Sequence, residues 1–94
     1  MSEKRHAVHN GRIIDEKDAV LPITLREVQS NVAVYEALRV IEGHVVHLGD
    51  HVRRLEESAA VIHLPLSKVD WQKEIDALIE KDHIVDATMR ILVV

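Results

Sequence analysis

Residues 34–66 read VYEALRVIEGHVVHLGDHVRRLEESAAVIHLPL, and this stretch decides the fold. Two β-prone runs, Glu36 to Glu42 and His44 to Leu48, meet at Gly43, which predicts a hairpin. Apolar residues then recur at helical spacing and indicate one buried stripe on a helix: Val52, Leu55, Ala59 and Ile62. The stretch therefore predicts a β-hairpin that leads directly into a helix.

The rest of the chain supplies the remaining predicted elements. Asn10-Gly11 is the dipeptide preferred in two-residue hairpins, because both positions tolerate a positive φ. Ser67 to Asp70 has the form of a helix start. Its helix is expected to bury Trp71, Ile75, Leu78 and Ile79. Alternation from Val85 to Val93 predicts a half-buried last strand.

The segment between the first hairpin and Val34 is less regular. Pro22 makes Ala19 to Ile23 an edge strand or an extended connection. A capping-box pattern beginning at Thr24 predicts a short helix to about Asn31. Together, the predicted elements form one α+β domain of residues 1–94. It is expected to consist of a small antiparallel-rich sheet of about five strands covered by two main helices.

Composition narrows the class of protein. The chain has 94 residues, of which 47% are hydrophobic and 30% charged, as in an ordinary globular domain. A net charge of −4 without a basic stripe argues against nucleic-acid binding. There is no apolar run of membrane-spanning length, no secretory h-region and no cysteine, so we expect a cytoplasmic location.

Arg53 and Arg54 are the first candidate site. Gly49-Asp50 is expected to end the second strand of the hairpin, with Asp50 as the helix N-cap and both arginines in the first turn. A helix N-terminus beside an arginine is a plausible phosphate site. The competing interpretation, which spacing alone favours, is a surface ion pair with Glu56 or Glu57.

Arg39 and Arg90 stand in the middle of predicted strands. They indicate a polar sheet face that meets an anion, a second domain or another subunit. An exposed face that carries arginines for solubility explains them equally well.

Seven histidines raise the question of a metal site. His44 and His47 are expected to point to opposite faces of a strand, and Gly49 is expected to break any helix between His47 and His51. A zinc site needs three or four converging ligands, so no metal is predicted. No catalytic triad or glycine-rich phosphate loop is evident either.

The motifs, taken in order, resemble the N-terminal domain of class IV pyridoxal-phosphate aminotransferases. This family includes branched-chain amino-acid aminotransferases, D-amino-acid aminotransferases and aminodeoxychorismate lyases. The matching pieces are Asn10-Gly11, Asp18-Ala19, Val34 to Val40 with Gly43, His51 to Leu55 through Ser58-Ala59, and Met89 to Ile91.

The resemblance implies roles for four residues. Arg54 is expected to bind the phosphate of the cofactor, pyridoxal 5′-phosphate. Tyr35 and Arg39 are expected on the substrate side, where Arg90 helps to receive a substrate carboxylate. No catalytic residue is expected within this chain.

Two departures from the family pattern shape the functional expectation. Ser30-Asn31 replaces the usual aromatic-glycine pair, and the C-terminal domain with the Schiff-base lysine is absent from the sequence. The apolar run Ile91 to Val94 also suggests a piece of a longer protein. We therefore expect a fragment, inactive alone, that pairs with the missing domain or a second copy.

The whole enzyme is expected to move an amino group between an amino acid and a 2-oxo acid. Two alternatives stay open. The chain is either a stand-alone, non-catalytic α+β module that self-associates, or a fragment of a pyridoxal-phosphate-dependent aminodeoxychorismate lyase.

Overall fold

A computed structural model describes residues 5–26 and 33–94. Most of the short helix predicted from Thr24 to about Asn31 lies outside the described residues, and so does Ser30-Asn31. The statements below concern the described ranges.

The chain begins with the predicted hairpin. Strands β1 (His6–His9) and β2 (Arg12–Asp15) are antiparallel, and His9 lies opposite Arg12. The two turn residues have φ values of 50° at Asn10 and 82° at Gly11, so the preference of Asn-Gly for this turn is met. A 3₁₀ turn over Glu16–Asp18 follows, and residues 19–23 form a connection rather than an edge strand.

A second sheet holds the remaining strands. These are β3 (Val34–Ile41), β4 (His44–Val45) and β5 (Ala87–Val93), in the antiparallel order β4-β3-β5. Val34 pairs with Val93 at one end of the long ladder and Val40 pairs with Ala87 at the other. The α+β class and the five strands are confirmed, and the strands are divided between two sheets.

Helix α1 (Leu48–Val61) begins earlier than predicted. His47 takes the left-handed conformation at φ 56° and is the N-cap, without a side-chain hydrogen bond. The N–H of His51 donates to the carbonyl of His47 at 3.1 Å, so Gly49 lies inside the helix. The predicted N-cap at Asp50 is wrong, because β4 ends at Val45 and the left-handed His47, two residues later, already turns the chain into the helix.

This earlier start moves the arginine pair. Arg53 and Arg54 lie in the second turn of α1 rather than the first. The free backbone N–H groups of a helix belong to its first turn. The predicted combination of an arginine pair with the free N–H groups of the helix's first turn is therefore wrong.

Helix α2 (Trp71–Asp82) follows the predicted second helix start. Its N-cap is Asp70, whose carboxylate accepts a hydrogen bond from the Lys73 N–H at 3.1 Å. The helix ends at His83, which takes the left-handed conformation at φ 52°. Ile75 is buried and the other predicted buried positions are partly covered: Trp71, Leu78 and Ile79.

The core lies between α1 and the inner face of β3. It consists of Val34, Leu38 and Val40 from the strand with Leu55 and Ala59 from the helix, joined by Ile75 from α2. Ile62, predicted as part of the buried stripe, lies just past the end of α1 and is 42% exposed. Neither α1 nor α2 is long and apolar enough to span a membrane.

Candidate functional site

Glu36 is a charged residue at a position where the strand pattern calls for an apolar one. Alternation along β3 places it on the helix side of the sheet, between Val34 and Leu38, and its side chain is 11% exposed. A carboxylate removed from water must be paired and hydrogen-bonded to remain charged. The residues that hydrogen-bond to the Glu36 carboxylate therefore form the candidate site together with it.

Arg54, on α1, is the first of those partners. Its Nε donates to Glu36 Oε2 at 3.1 Å and its Nη2 donates to Glu36 Oε1 at 2.8 Å. This is the bidentate geometry in which a planar guanidinium matches a carboxylate. The Nη1 group of Arg54 makes no hydrogen bond to the described part of the chain, and the side chain is 62% exposed.

His51 is the second partner and lies one turn before Arg54 on the same helix. Its Nδ1 is 2.7 Å from Glu36 Oε1 and 3.1 Å from Arg54 Nη2. A carboxylate only accepts hydrogen bonds and a guanidinium only donates them. The proton on Nδ1 is therefore assigned to the short contact, in which His51 donates to Glu36.

These contacts fix the charge states of the cluster formed by Glu36, His51 and Arg54. Hydrogen bonds from Arg54 and then from His51 lower the pKa of Glu36 to about 2, although burial opposes the shift. The same ion pair raises the pKa of Arg54. At neutral pH the cluster therefore holds a full carboxylate and a full guanidinium, with one edge of the guanidinium open.

Arg53 behaves differently from its neighbour. Its guanidinium lies 3.5 Å from the Asp50 carboxylate and 4.0 Å from that of Glu57, and its side chain is 70% exposed. The interpretation as a surface ion pair along the helix thus holds for Arg53. For Arg54 it is wrong, because the partner comes from a strand that local spacing cannot reveal.

The three residues predicted on the substrate side lie together on the outer face of the sheet. Tyr35 and Arg39 alternate outward on β3, and Arg90 is outward on β5 opposite Ala37. Because Arg39 pairs with Thr88, Arg39 and Arg90 are diagonal neighbours, roughly 7–8 Å apart at the backbone. No carboxylate of the described residues forms an ion pair with either arginine.

Arg54 and the outer-face residues lie on opposite sides of β3. Tyr35 and Glu36 are consecutive in the strand, so their side chains point to opposite faces. Within the described ranges, β4 pairs only with Val40 and Ile41, so the other end of β3 has a free edge. A ligand that contacts both Arg54 and Tyr35 has to pass around this edge.

A large cavity of the described residues lies elsewhere. It has a volume of about 1360 Å³ and lies between the first hairpin, α2 and β5, where Trp71, Ile75 and Met89 line it. Arg90 reaches its wall, while Tyr35, Arg39 and Arg54 do not. This cavity therefore does not coincide with the candidate site around Arg54.

Sequence reasoning missed Glu36 and His51 as site residues. Two signals were present: a charge at an inward position of a strand, and a histidine three residues before an arginine on one helix face. The prediction that Gly49 breaks any helix between His47 and His51 was wrong, since His47 is the N-cap of α1 and both Gly49 and His51 lie within this helix. Within residues 5–26 and 33–94, no three His, Asp or Glu side chains form a metal-binding group.

Comparison with known proteins identifies similar chains. The family model described as amino-transferase class IV matches residues 33–94. A protein of Methanocaldococcus jannaschii, provisionally named a branched-chain-amino-acid aminotransferase, is 33% identical over 86 residues. A D-alanine aminotransferase of Listeria innocua is 32% identical over 77 residues. These matches cover 89% and 80% of this chain but only 30% and 27% of the two relatives.

Solved structures share the fold. A branched-chain aminotransferase from Thermoproteus uzoniensis, crystallised with norvaline, superposes with a TM-score of 0.83 at 21% identity. The branched-chain amino acid aminotransferase of Escherichia coli gives 0.82 at 23% identity. Each comparison covers 96% of this chain and about a third of the other, 33% and 32%. The chain therefore has the fold of one part of these larger proteins.

Proposed function

The chain belongs to the class IV amino-transferase family, and from that premise we propose that it supplies the phosphate-binding arginine of a pyridoxal-phosphate-dependent aminotransferase. The whole enzyme moves an amino group between an amino acid and a 2-oxo acid, and this part is inactive alone. The observation that carries the proposal is the Arg54 guanidinium, held on one edge by Glu36 and open on the other.

The donor set at Arg54 fits a phosphate ester. A guanidinium is permanently charged and offers parallel N–H groups that match phosphate oxygens. The open side of Arg54 is its Nη1 group, which makes no hydrogen bond to the described residues, on a side chain that is 62% exposed. The phosphate end of the cofactor can therefore be held by this chain.

Bound pyridoxal phosphate supplies an electron sink for breaking a bond at the α-carbon of an amino acid. The chain itself binds and orients. Arg54 holds the phosphate, while Arg39 and Arg90 place positive charge, not paired with any described carboxylate, on the outer face, where it suits a substrate carboxylate. Tyr35, 69% exposed beside them, provides an aromatic wall. The lysine that anchors the cofactor covalently belongs to the remaining part of the enzyme.

A ligand titration tests the role of Arg54. Pyridoxine 5′-phosphate and pyridoxine are suitable probes, because neither has an aldehyde that would react with surface lysines. Binding is followed by residue-resolved NMR on the chain. We expect the phosphate-bearing probe to bind about tenfold more tightly than pyridoxine.

Two variants make the titration specific. Arg54→Gln is expected to abolish the preference for the phosphate-bearing probe. Arg53→Gln, which removes the same charge from the neighbouring position, is the matched control and is expected to retain it. Full preference in Arg54→Gln would exclude Arg54 as the phosphate ligand.

One observation favours a second candidate, the stand-alone self-associating module. The outer face of the β3–β5 ladder exposes large apolar side chains, with Tyr35 69% and Leu92 60% exposed. Such a face can pair with a second copy. Sedimentation that depends on protein concentration, with no preference for the phosphate-bearing probe, supports this candidate over the enzyme part.

A further inference from the structure

We propose that Glu36 is a positioning residue for Arg54: its carboxylate fixes one edge of the guanidinium so that the opposite edge is presented to a phosphate ester. The inference rests on the proposed function and deepens it. It assigns a role to a strand residue that does not itself contact the ligand.

The N–H donors of Arg54 divide into those that bind Glu36 and those that remain available to a ligand. Glu36 accepts from Nε at 3.1 Å and from Nη2 at 2.8 Å, which occupies the Nε–Nη2 edge of the guanidinium. Nη1, on the opposite side, makes no hydrogen bond to the described residues and stays open to a ligand. An arginine without such a partner on a helix surface samples many rotamers, and each one has to be abandoned on binding.

Glu36 is itself well anchored, which a positioning residue must be. It lies in the eight-residue strand β3 at an inward position and is 11% exposed. His51 Nδ1 holds its Oε1 at 2.7 Å from a second direction. The guanidinium is therefore tied through Glu36 to the sheet as well as to its own helix, and a supporting shell of this kind makes a binding site precise.

The opposite interpretation makes the opposite prediction. If Glu36 merely neutralises Arg54, then removing its charge leaves a stronger cation and tightens phosphate binding. If Glu36 positions Arg54, then removing its charge weakens phosphate binding despite the gain in net positive charge. The sign of the change in affinity separates the two.

The test measures the preference for pyridoxine 5′-phosphate over pyridoxine in Glu36→Gln and Glu36→Asp. The amide of Glu36→Gln has only one acceptor oxygen, so one of the two donors, Nε or Nη2, faces an NH2 group and the bidentate contact is lost. Glu36→Asp keeps the charge but shortens the reach, which separates geometry from charge. We expect the preference to fall by about tenfold in the first variant and several-fold in the second.

A structural signal accompanies the affinities. In the wild type the Nε–H resonance of Arg54 is expected to be resolved and shifted by the carboxylate, and in Glu36→Gln to merge with those of exposed arginines such as Arg53. Glu57→Gln is the matched control, because Glu57 contacts Arg53 only loosely at 4.0 Å. It is expected to leave both the Arg54 signal and the preference unchanged.

The outcomes separate the inference from the proposed function. If Arg54→Gln keeps the wild-type preference, the proposed function itself is overturned. If Arg54→Gln loses it while both Glu36 variants keep or increase it, the function stands and the positioning role of Glu36 is rejected. Loss in the Glu36 variants, with core resonances intact, supports the inference; should Glu36→Gln not fold, Glu36→Asp decides alone.

Discussion

Glu36 occupies a position in β3 that an aliphatic residue would fill at a lower cost in desolvation. Its carboxylate is offset by two hydrogen-bonded partners, one of which, Arg54, remains 62% exposed to solvent. Exposed ion pairs contribute little to stability because water screens them. The ion pair between Glu36 and Arg54 therefore stabilises the fold only weakly. This is consistent with a role of Glu36 in positioning Arg54.

Acid titration is expected to reveal the contribution of Glu36 to stability. Its pKa of about 2 lies below the ordinary value of 4.5, so its contribution is fully present above about pH 4.5 and is lost as the pH falls through about 2. Glu36→Gln is expected to lower the free energy of unfolding by on the order of 1 kcal/mol at pH 7. The difference from the wild type should vanish near pH 2 in urea denaturation.

The control for this titration is Glu57→Gln, whose side chain is 70% exposed. It is expected to change the free energy of unfolding by less than about 0.5 kcal/mol at each pH. A difference between the wild type and Glu36→Gln that stays constant from pH 7 to pH 2 would show that packing, rather than ionisation, accounts for the effect.

At the scale of elements, two residues near the start of α2 are candidates for its N-cap, Ser67 and Asp70. Ser67 fits the sequence signature of a helix start, but the helix begins four residues later, and Asp70 accepts the Lys73 N–H. Asp70→Ala is expected to cost about 1 kcal/mol, the usual effect of removing an N-cap. Ser67→Ala is expected to stay within about 0.5 kcal/mol of the wild type.

Urea denaturation of both variants measures this difference. Equal effects of the two substitutions, or a larger one in Ser67→Ala, would mean that the helix begins at Ser67 in solution.

The local elements were predictable because their signals are local. Alternation along β5 and the Asn10-Gly11 turn depend on neighbouring residues only, and both were predicted correctly. The start of α1 was missed because it depends on His47 in a left-handed conformation, which costs energy for a non-glycine residue. Residue propensities do not show that β4 ends at Val45 and that α1 begins shortly afterwards, at Leu48.

The site was predictable only in part, for a related reason. Spacing along a helix suggested Glu56 or Glu57 as the partner of Arg54, since residues three or four apart are neighbours. The actual partner, Glu36, lies 18 residues away in sequence and on another element. Pairing between a strand and a helix is a tertiary contact, so a helical or strand period does not encode it.

At the scale of the whole molecule, the described strands divide into two sheets, and no other described strand pairs with the first hairpin. It is attached to α2 instead. The backbone N–H of His6 donates to Asp82 Oδ2 at 2.8 Å, and its Nδ1 lies 2.5 Å from Asp82 Oδ1. A side chain added at Gly11 would come within 3.4 Å of Glu74 Oε1, so the hairpin tip also lies against this helix.

Removing the charge of Asp82 is therefore expected to loosen the hairpin without unfolding the domain. Burial raises the pKa of Asp82, but the contacts with His6 outweigh it and lower the pKa, so the carboxylate is charged at neutral pH. In Asp82→Asn, hydrogen exchange of β1 and β2 amides is expected to accelerate by about tenfold, while exchange in β3 and β5 is unchanged. Asp76→Asn is the matched control, because Asp76 lies exposed on the same helix and accepts a hydrogen bond from Gln72 on that helix. Equal acceleration in all strands would show that Asp82 supports the whole domain, and unchanged exchange would show that the hairpin is held by other contacts.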